Sequence, residues 1–253
     1  MPNALASDID YTLYFPNKNP SISLEDQQAI AHYQKAGYLF GLCSGRPYSG
    51  VINLFDTIHP DFYIISSGAI ILDKNLQPLY EKHVTYHTIQ NIFYQYQNQA
   101  LIIIHTKKDI YKTQKEFSAG SCILFHSIEQ IKEIIYGISL VFHNETQAYQ
   151  ETQNINHMYK DVFAFQNLDS IDIVSKGCSK GEAIKRVREH FHIKTFAGIG
   201  DSYNDLPMLK CVDIPITLNT SPQPLKDISQ LHVDSVAQAI KELLQQFFYC
   251  TSK

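Results

Sequence analysis

The sequence predicts an α/β fold in which a parallel sheet is interrupted midway by an α+β insertion. Two observations carry this. Strand and helix patterns alternate from the N-terminus to about residue 82 and resume after about residue 173, as a parallel sheet with crossover helices requires. Between them the texture changes to a Gln-, Asn- and Tyr-rich helix pattern followed by short strands. The expected division is therefore a discontinuous core, 1–82 and 174–253, around an insertion, 83–173.

The elements follow in order. Ala4 to Ile9 reads as a short buried strand. Ser23 opens a helix with Asp26 at the capping-box position, Ile30 and Tyr33 supply its apolar spacing, and Gly37 ends it. Tyr38 to Cys43 is the next strand, "FYIISSGA" the third, and Ile70–Leu72 with Leu79–Glu81 a hairpin. In the insertion, Ile89, Ile92, Phe93 and Tyr96 fall at helical spacing. Leu101–Ile104, Cys122–Phe125, Ser139–Phe142 and Val162–Phe165 are strand candidates, and Ile128–Tyr136 is expected to be a helix. The core resumes with a helix from Ser179 to His190, a strand from Thr195 to Ile199, a helix after Asp201, a strand near Ile214 and a last helix from Ser235 to Phe248.

Composition bounds the function. The chain has 253 residues, 44% hydrophobic, enough for a substantial core. Its net charge of −4 and pI near 6.2 argue against nucleic-acid binding, which needs clustered Lys and Arg. Lys107, Lys108, Lys112 and Lys115 are interrupted by acids and read as a solvated turn, with substrate steering as the sharper alternative. No apolar run has the length of a membrane span and no signal-peptide pattern opens the chain, so a cytoplasmic protein is expected. Five scattered cysteines, without a C-x-x-C pair, suit a reducing compartment, and Cys43 and Cys178 read as packing residues. The eleven histidines are dispersed along the chain, and zinc is not expected.

Chemistry concentrates at the strand ends. Side chains two apart on an extended chain share a heading, so Asp8 and Asp10 leave the first strand together. Asp201, Asn204 and Asp205 follow the strand ending at Ile199. In open α/β sheets the carboxyl ends of the strands face the ligand crevice. Carboxylates gathered there repel, and a divalent cation resolves the repulsion; hard oxygen donors favour Mg²⁺. Taken singly, Asp8 and Asp10 also fit the start of a turn, and Asp201 a helix cap. Ser44 and Gly45 offer a hydroxyl and free N–H groups to an anion, and Lys180 stands in the first turn of a helix where it can neutralise phosphate. Singly these fit an N-cap and a solvated charge.

In order along the chain, Asp8-x-Asp10-x-Thr12, Ser44-Gly45-Arg46, Lys180-Gly181 and Gly200-Asp201-Ser202 with Asn204-Asp205 resemble the haloacid dehalogenase superfamily of phosphohydrolases, Cof-type branch. The resemblance spans nearly the whole chain and implies a Rossmann-like, doubly wound core with a substrate-selecting cap between Ser44 and Lys180. It departs at Tyr11, where the family usually carries Gly, at Ser67, where Asn is common, and in the tail after Ile216. It implies a Mg²⁺-dependent phosphatase acting on a small phosphorylated metabolite: a sugar phosphate, nucleotide or cofactor phosphate. Asp8 would form an aspartyl-phosphate and Asp10 would serve as acid and base. Thr12, Ser44, Gly45, Lys180 and Asn204 would contact phosphate or support it. Asp8, Asp201 and Asp205 would attend the metal, with Asp10 contributing its backbone carbonyl. Arg46 is left outside this core set, since Arg46-Pro47 equally suits helix initiation. A phosphomutase, a sucrose- or trehalose-phosphate-type phosphatase and a noncatalytic binding protein share the layout. No nucleic-acid or membrane partner is expected, and the chain is expected to be a monomer or a weak homo-oligomer.

Overall fold

The computed structural model describes residues 3–52, 58–107, 109–114 and 122–250. Two sheets organise them. The first has eight strands: β1 (Ala4–Ser7), β2 (Leu39–Cys43), β3 (Phe62–Ile65), β4 (Ile70–Asp73), β5 (Pro78–Glu81), β12 (Phe196–Gly200), β13 (Ile214–Leu218) and β14 (Leu231–Val233). Their spatial order is β14-β13-β12-β1-β2-β3-β4-β5. Pairing is parallel from β14 to β3 and antiparallel at β4 and β5. The second sheet holds β6 (Leu101–Thr106), β7 (Ile110–Lys112), β8 (Ile123–Leu124), β9 (Ile135–Val141), β10 (Val162–Asn167) and β11 (Ser170–Ser175), in the order β10-β11-β9-β6-β7-β8.

Helices cover both faces of the first sheet. On one side α1 (Leu24–Lys35) and α8 (Val236–Cys250) enclose a cluster with Leu5, Phe40 and Ile199. On the other, α5 (Lys180–Phe191), α6 (Leu206–Leu209) and α7 (Gln223–Ile228) pack over Ala6, Phe62 and Phe196. Ser23 caps α1: its hydroxyl accepts from the Asp26 amide at 3.0 Å and donates to Asp26 Oδ2 at 2.6 Å. Asp26 Oδ1 also accepts from the Ala237 amide at 2.8 Å, joining the starts of α1 and α8. Gly37, at φ +88°, ends α1 in the left-handed conformation that glycine tolerates.

The second sheet buries one face against α3 (Tyr86–Tyr96) and α4 (Glu145–Met158). Several expectations are corrected here. Ile128–Tyr136 is not a helix: a single 3₁₀ turn, Ile128–Gln130, is closed by a Ser127/Gln130 capping box, and the chain is already extended at Ile131. From Ile135 the apolar run pairs on both sides with β6 and β11, and a central strand position overrides the helical spacing of the isoleucines. The stretch read as a solvated turn supplies β7 instead, with Lys112 opposite Ile103; Lys108 and Lys115 lie outside the described residues. Helix α4 gave no sequence signal because only Ala148, Thr152 and Ile155 of its side chains are buried. β11 runs through Ser175, so Val174 belongs to the second sheet. The two connections meet where the Lys82 ammonium donates to the Lys176 carbonyl at 2.7 Å. Among the described residues no helix is long and apolar enough to cross a membrane.

Candidate active site

β1 lies between β12 and β2, and the loops leaving the carboxyl ends of these three strands converge. This is the crevice where doubly wound sheets bind ligands. β1 delivers Asp8, Asp10 and Thr12, β2 delivers Ser44 to Arg46, and β12 delivers Asp201 to Asp205.

Lys180 stands at the centre. Ser179 caps α5 by accepting from the Glu182 amide at 3.0 Å, and this sets Lys180 at the first helical position. Its ammonium donates to Asp8 Oδ1 and Asp205 Oδ1, each at 2.6 Å. All three residues are buried. Asp205 turns its other oxygen to the amides of Asp201, at 3.0 Å, and Ser202, at 3.1 Å. The approach requires Gly200, where an added Cβ would lie 2.5 Å from Asp205 Cγ. Gly181 is equally constrained, since a Cβ there would lie 2.3 Å from the Pro207 carbonyl oxygen.

Thr12 and Asn204, both expected near phosphate, bond to the Asp201 loop. The Thr12 hydroxyl donates to Asp201 Oδ1 at 2.9 Å, and Asn204 Oδ1 accepts from the Ser202 hydroxyl at 2.8 Å. Ser44 is buried, and its hydroxyl accepts from the Arg46 amide at 3.1 Å, which folds the turn carrying Gly45. Arg46, set aside in the sequence, is brought into the site: it pairs with Asp10 through two hydrogen bonds of 2.7 and 2.6 Å. Tyr11 takes a left-handed φ of +60° between the site's two aspartates and Thr12 and is more than half exposed at the mouth of the cleft.

Electrostatics follow from this packing. Burial, then Asp205, push the Asp8 carboxyl well above its ordinary range against the pull of Lys180. Burial and Asp205 raise Asp201 to about 6. Burial opposes the Lys180 charge, but Asp205 and Asp8 more than offset it and hold the ammonium above the usual lysine range. Cys43 and Cys178 are buried, and burial pushes both thiols up, as inert packing residues require.

Ligand atoms of Asp8, Asp201 and Asp205 lie within 4.8 Å of one another. One lysine against three carboxylates leaves two negative charges uncompensated, and the donors are hard oxygens. The set fits a divalent cation such as Mg²⁺. Asp205 already accepts donors on both oxygens, so Asp8 and Asp201 are the members with oxygens open to an ion. The Asp10 carboxylate lies in its arginine pair rather than in this cluster.

Above these groups lies a cleft of about 400 Å³ between the two sheets. Its far wall carries Lys112, read from the sequence as part of a solvated turn with substrate steering as the alternative, and His105, Ser139 and Asp172, which the sequence did not single out. The available signal for Asp172 was an acidic residue at an alternating position in "SIDIVS".

Comparison with known proteins agrees with this architecture. The phosphatase YwtE of Bacillus subtilis, named for 5-amino-6-(5-phospho-D-ribitylamino)uracil, is 24% identical over 280 residues, covering 95% of this chain and 97% of the relative. Phosphatase YwpJ of the same organism is 21% identical over 264 residues, covering 89% and 92%. A haloacid dehalogenase-like hydrolase structure from B. subtilis superposes with a TM-score of 0.86 at 19% identity, over 95% of this chain and 99% of that one. A sugar phosphatase of HAD subclass IIB superposes with a TM-score of 0.83 at 18% identity, over 95% and 98%. Residues 5–241 match the family described as haloacid dehalogenase-like hydrolase, and the chain belongs to that family.

Proposed function

We propose that this hydrolase is a Mg²⁺-dependent phosphatase that cleaves a small phosphorylated metabolite through an aspartyl-phosphate on Asp8. The observation that carries the reading is the buried Lys180 bridge between Asp8 and Asp205, with Asp201 and the Ser44 turn beside it. The two B. subtilis relatives are named phosphatases, which supports the reaction class.

Asp8 attacks phosphorus and the ester oxygen departs with a proton from Asp10. A water molecule then attacks the phosphoryl group, gives its proton to Asp10 and releases Asp8 with inorganic phosphate. One difficult displacement becomes two easier ones. The Ser44 hydroxyl, the Gly45 amide and Lys180 hold the phosphoryl oxygens, while Thr12 and Asn204 keep the Asp201 loop in place. Asp8 and Asp201 would hold Mg²⁺ with the Asp10 backbone carbonyl, Asp205 supporting, and the bound ion supplies positive charge against the phosphoryl oxygens. Residues 83–173 act as the cap that selects the leaving group.

Phosphate release from a panel of phosphomonoesters, with and without Mg²⁺, tests the reading, with Asp8→Asn as control. Release that needs the metal and vanishes in the variant supports it. Interconversion of sugar phosphates without release would identify a mutase, and binding without turnover a noncatalytic protein.

A further inference from the structure

The cleft-facing side of the second sheet is built from directly paired residues. Strand register places Phe165, Asp172, Ser139, Ile103 and Lys112 side by side across β10, β11, β9, β6 and β7. Side chains in such a row share one face. Asp172 reaches the loops of the first sheet: its Oδ2 would lie 2.8 Å from a Cβ added at Gly45 and accepts from the Ser67 hydroxyl at 3.5 Å. Glycine at position 45 therefore admits a carboxylate against the turn proposed to hold the phosphoryl group.

Two neighbours fix that carboxylate. The Ser139 hydroxyl donates to Asp172 Oδ1 at 2.6 Å, and its oxygen faces His105 Nε2 at 3.2 Å. With the serine proton directed at Asp172, His105 is the donor to Ser139. His105 is buried, and burial lowers its pKa against the opposing pull of Asp172, so the neutral imidazole is favoured. Oδ1 is thus held by Ser139, while Oδ2 accepts only a long 3.5 Å bond from the Ser67 hydroxyl and keeps a lone pair for the turn and the cleft. Lys112 lines the same cleft three strands away in the row, about 14 Å at the backbone.

We propose that Asp172 is a specificity-determining residue that accepts a hydrogen bond from a hydroxyl or amine on the carbons next to the phosphate ester and rejects a carboxylate there. Ser139 and His105 are positioning residues that act through it. This rests on the phosphatase reading and narrows its substrates to polyol-, sugar- or amino-alcohol-type phosphomonoesters. Discrimination is set by repulsion as much as by the hydrogen bond.

The test compares glycerol 3-phosphate with 3-phosphoglycerate, which differ by a hydroxymethyl against a carboxylate near the ester. The holoenzyme should favour the alcohol by at least about tenfold in kcat/KM. Asp172→Asn, nearly isosteric, should bring the ratio within about threefold by losing on the alcohol and gaining on the acid, and Ser139→Ala should move it the same way by a smaller factor. A merely structural role would lower both substrates alike, and that result, or an unchanged ratio, overturns the assignment. Thermal protection by the same two compounds is measured in parallel. No turnover with any substrate, but stronger protection of the wild type by the alcohol that Asp172→Asn abolishes, removes the phosphatase reading and keeps the selectivity of Asp172. Equal protection by both compounds removes that selectivity as well.

Discussion

Arg46 grips Asp10 in a planar fork, Nε to Oδ2 at 2.7 Å and Nη2 to Oδ1 at 2.6 Å. The same guanidinium donates to the Gly50 carbonyl at 3.2 Å and lies over the Tyr14 ring at 5.0 Å. The carboxylate proposed to move protons is thereby oriented by a residue from the neighbouring strand end. Lysine cannot reproduce two parallel bonds. Arg46→Lys should lower kcat by about 10- to 100-fold on an alkyl phosphate, whose leaving oxygen needs a proton. On p-nitrophenyl phosphate, whose leaving group departs without one, the loss should stay within about threefold. Steady-state kinetics on the two substrates checks this, and equal losses would refute an acid-positioning role for Arg46.

Lys180→Met addresses the centre of the site. The variant keeps the side-chain volume and strands Asp8 and Asp205, both buried, without their shared cation. Removing one partner of a buried pair costs about 3–5 kcal/mol. Urea unfolding in the absence of divalent ions should show that loss. Turnover with Mg²⁺ should fall by about two to three decades, as for loss of one strong donor to the reacting group. A variant as stable as the wild type would mean that the Lys180 bridge between Asp8 and Asp205 does not contribute to the fold.

How much of this was legible in the sequence depends on distance along the chain. Asp8, Ser44, Lys180 and Asp201 were found because each sits where an apolar run ends or a capped helix begins, which neighbouring residues reveal. Arg46 was set aside because its partner, Asp10, is 36 residues away and Arg-Pro has a local explanation. The pairing across the cleft wall was not legible: Asp172, Ser139 and Ile103 meet only through strand register, and the start of β9, Ile135 and Tyr136, was read as helix. Helix α4 escaped because its buried stripe is three residues wide within a polar stretch. The α/β core resting on local alternation was therefore readable, while the second sheet and its chemistry depended on long-range pairing.

Asp201 gives the metal-free protein a pH dependence of unusual sign. Its folded pKa, about 6, lies above the ordinary 3.8 because of burial and Asp205. Between these values the folded state binds more protons than the unfolded chain, so stability falls as pH rises from about 4 to about 6. The contribution is on the order of 1–3 kcal/mol. Asp201→Asn in EDTA should flatten the profile across that window. Mg²⁺, which prefers the ionised carboxylate, should stabilise the wild type more at pH 7 than at pH 5. Unfolding free energies at several pH values, with EDTA or Mg²⁺, test both statements; a wild-type profile that rises through the window would contradict them.

Gly200 separates the shape of the site from its charge. Alanine there would place a Cβ 2.5 Å from Asp205 Cγ and 2.6 Å from Asp205 Cβ, a separation that no side-chain rotation relieves. Asp205 must move, and with it go its bonds to Lys180 and to the amides of Asp201 and Ser202. Overpacking of this kind costs about 1–3 kcal/mol. The Asp201 loop should then lose its anchor although every acidic residue remains in the sequence. Gly200→Ala should therefore lose most of the Mg²⁺-induced rise in Tm together with turnover. Gly50→Ala is the control, because an added Cβ there meets nothing closer than 3.4 Å. Were Gly200→Ala to keep its Mg²⁺ response, Asp205 would not be what holds the Asp201 loop in place, and the charge of the cluster alone would suffice.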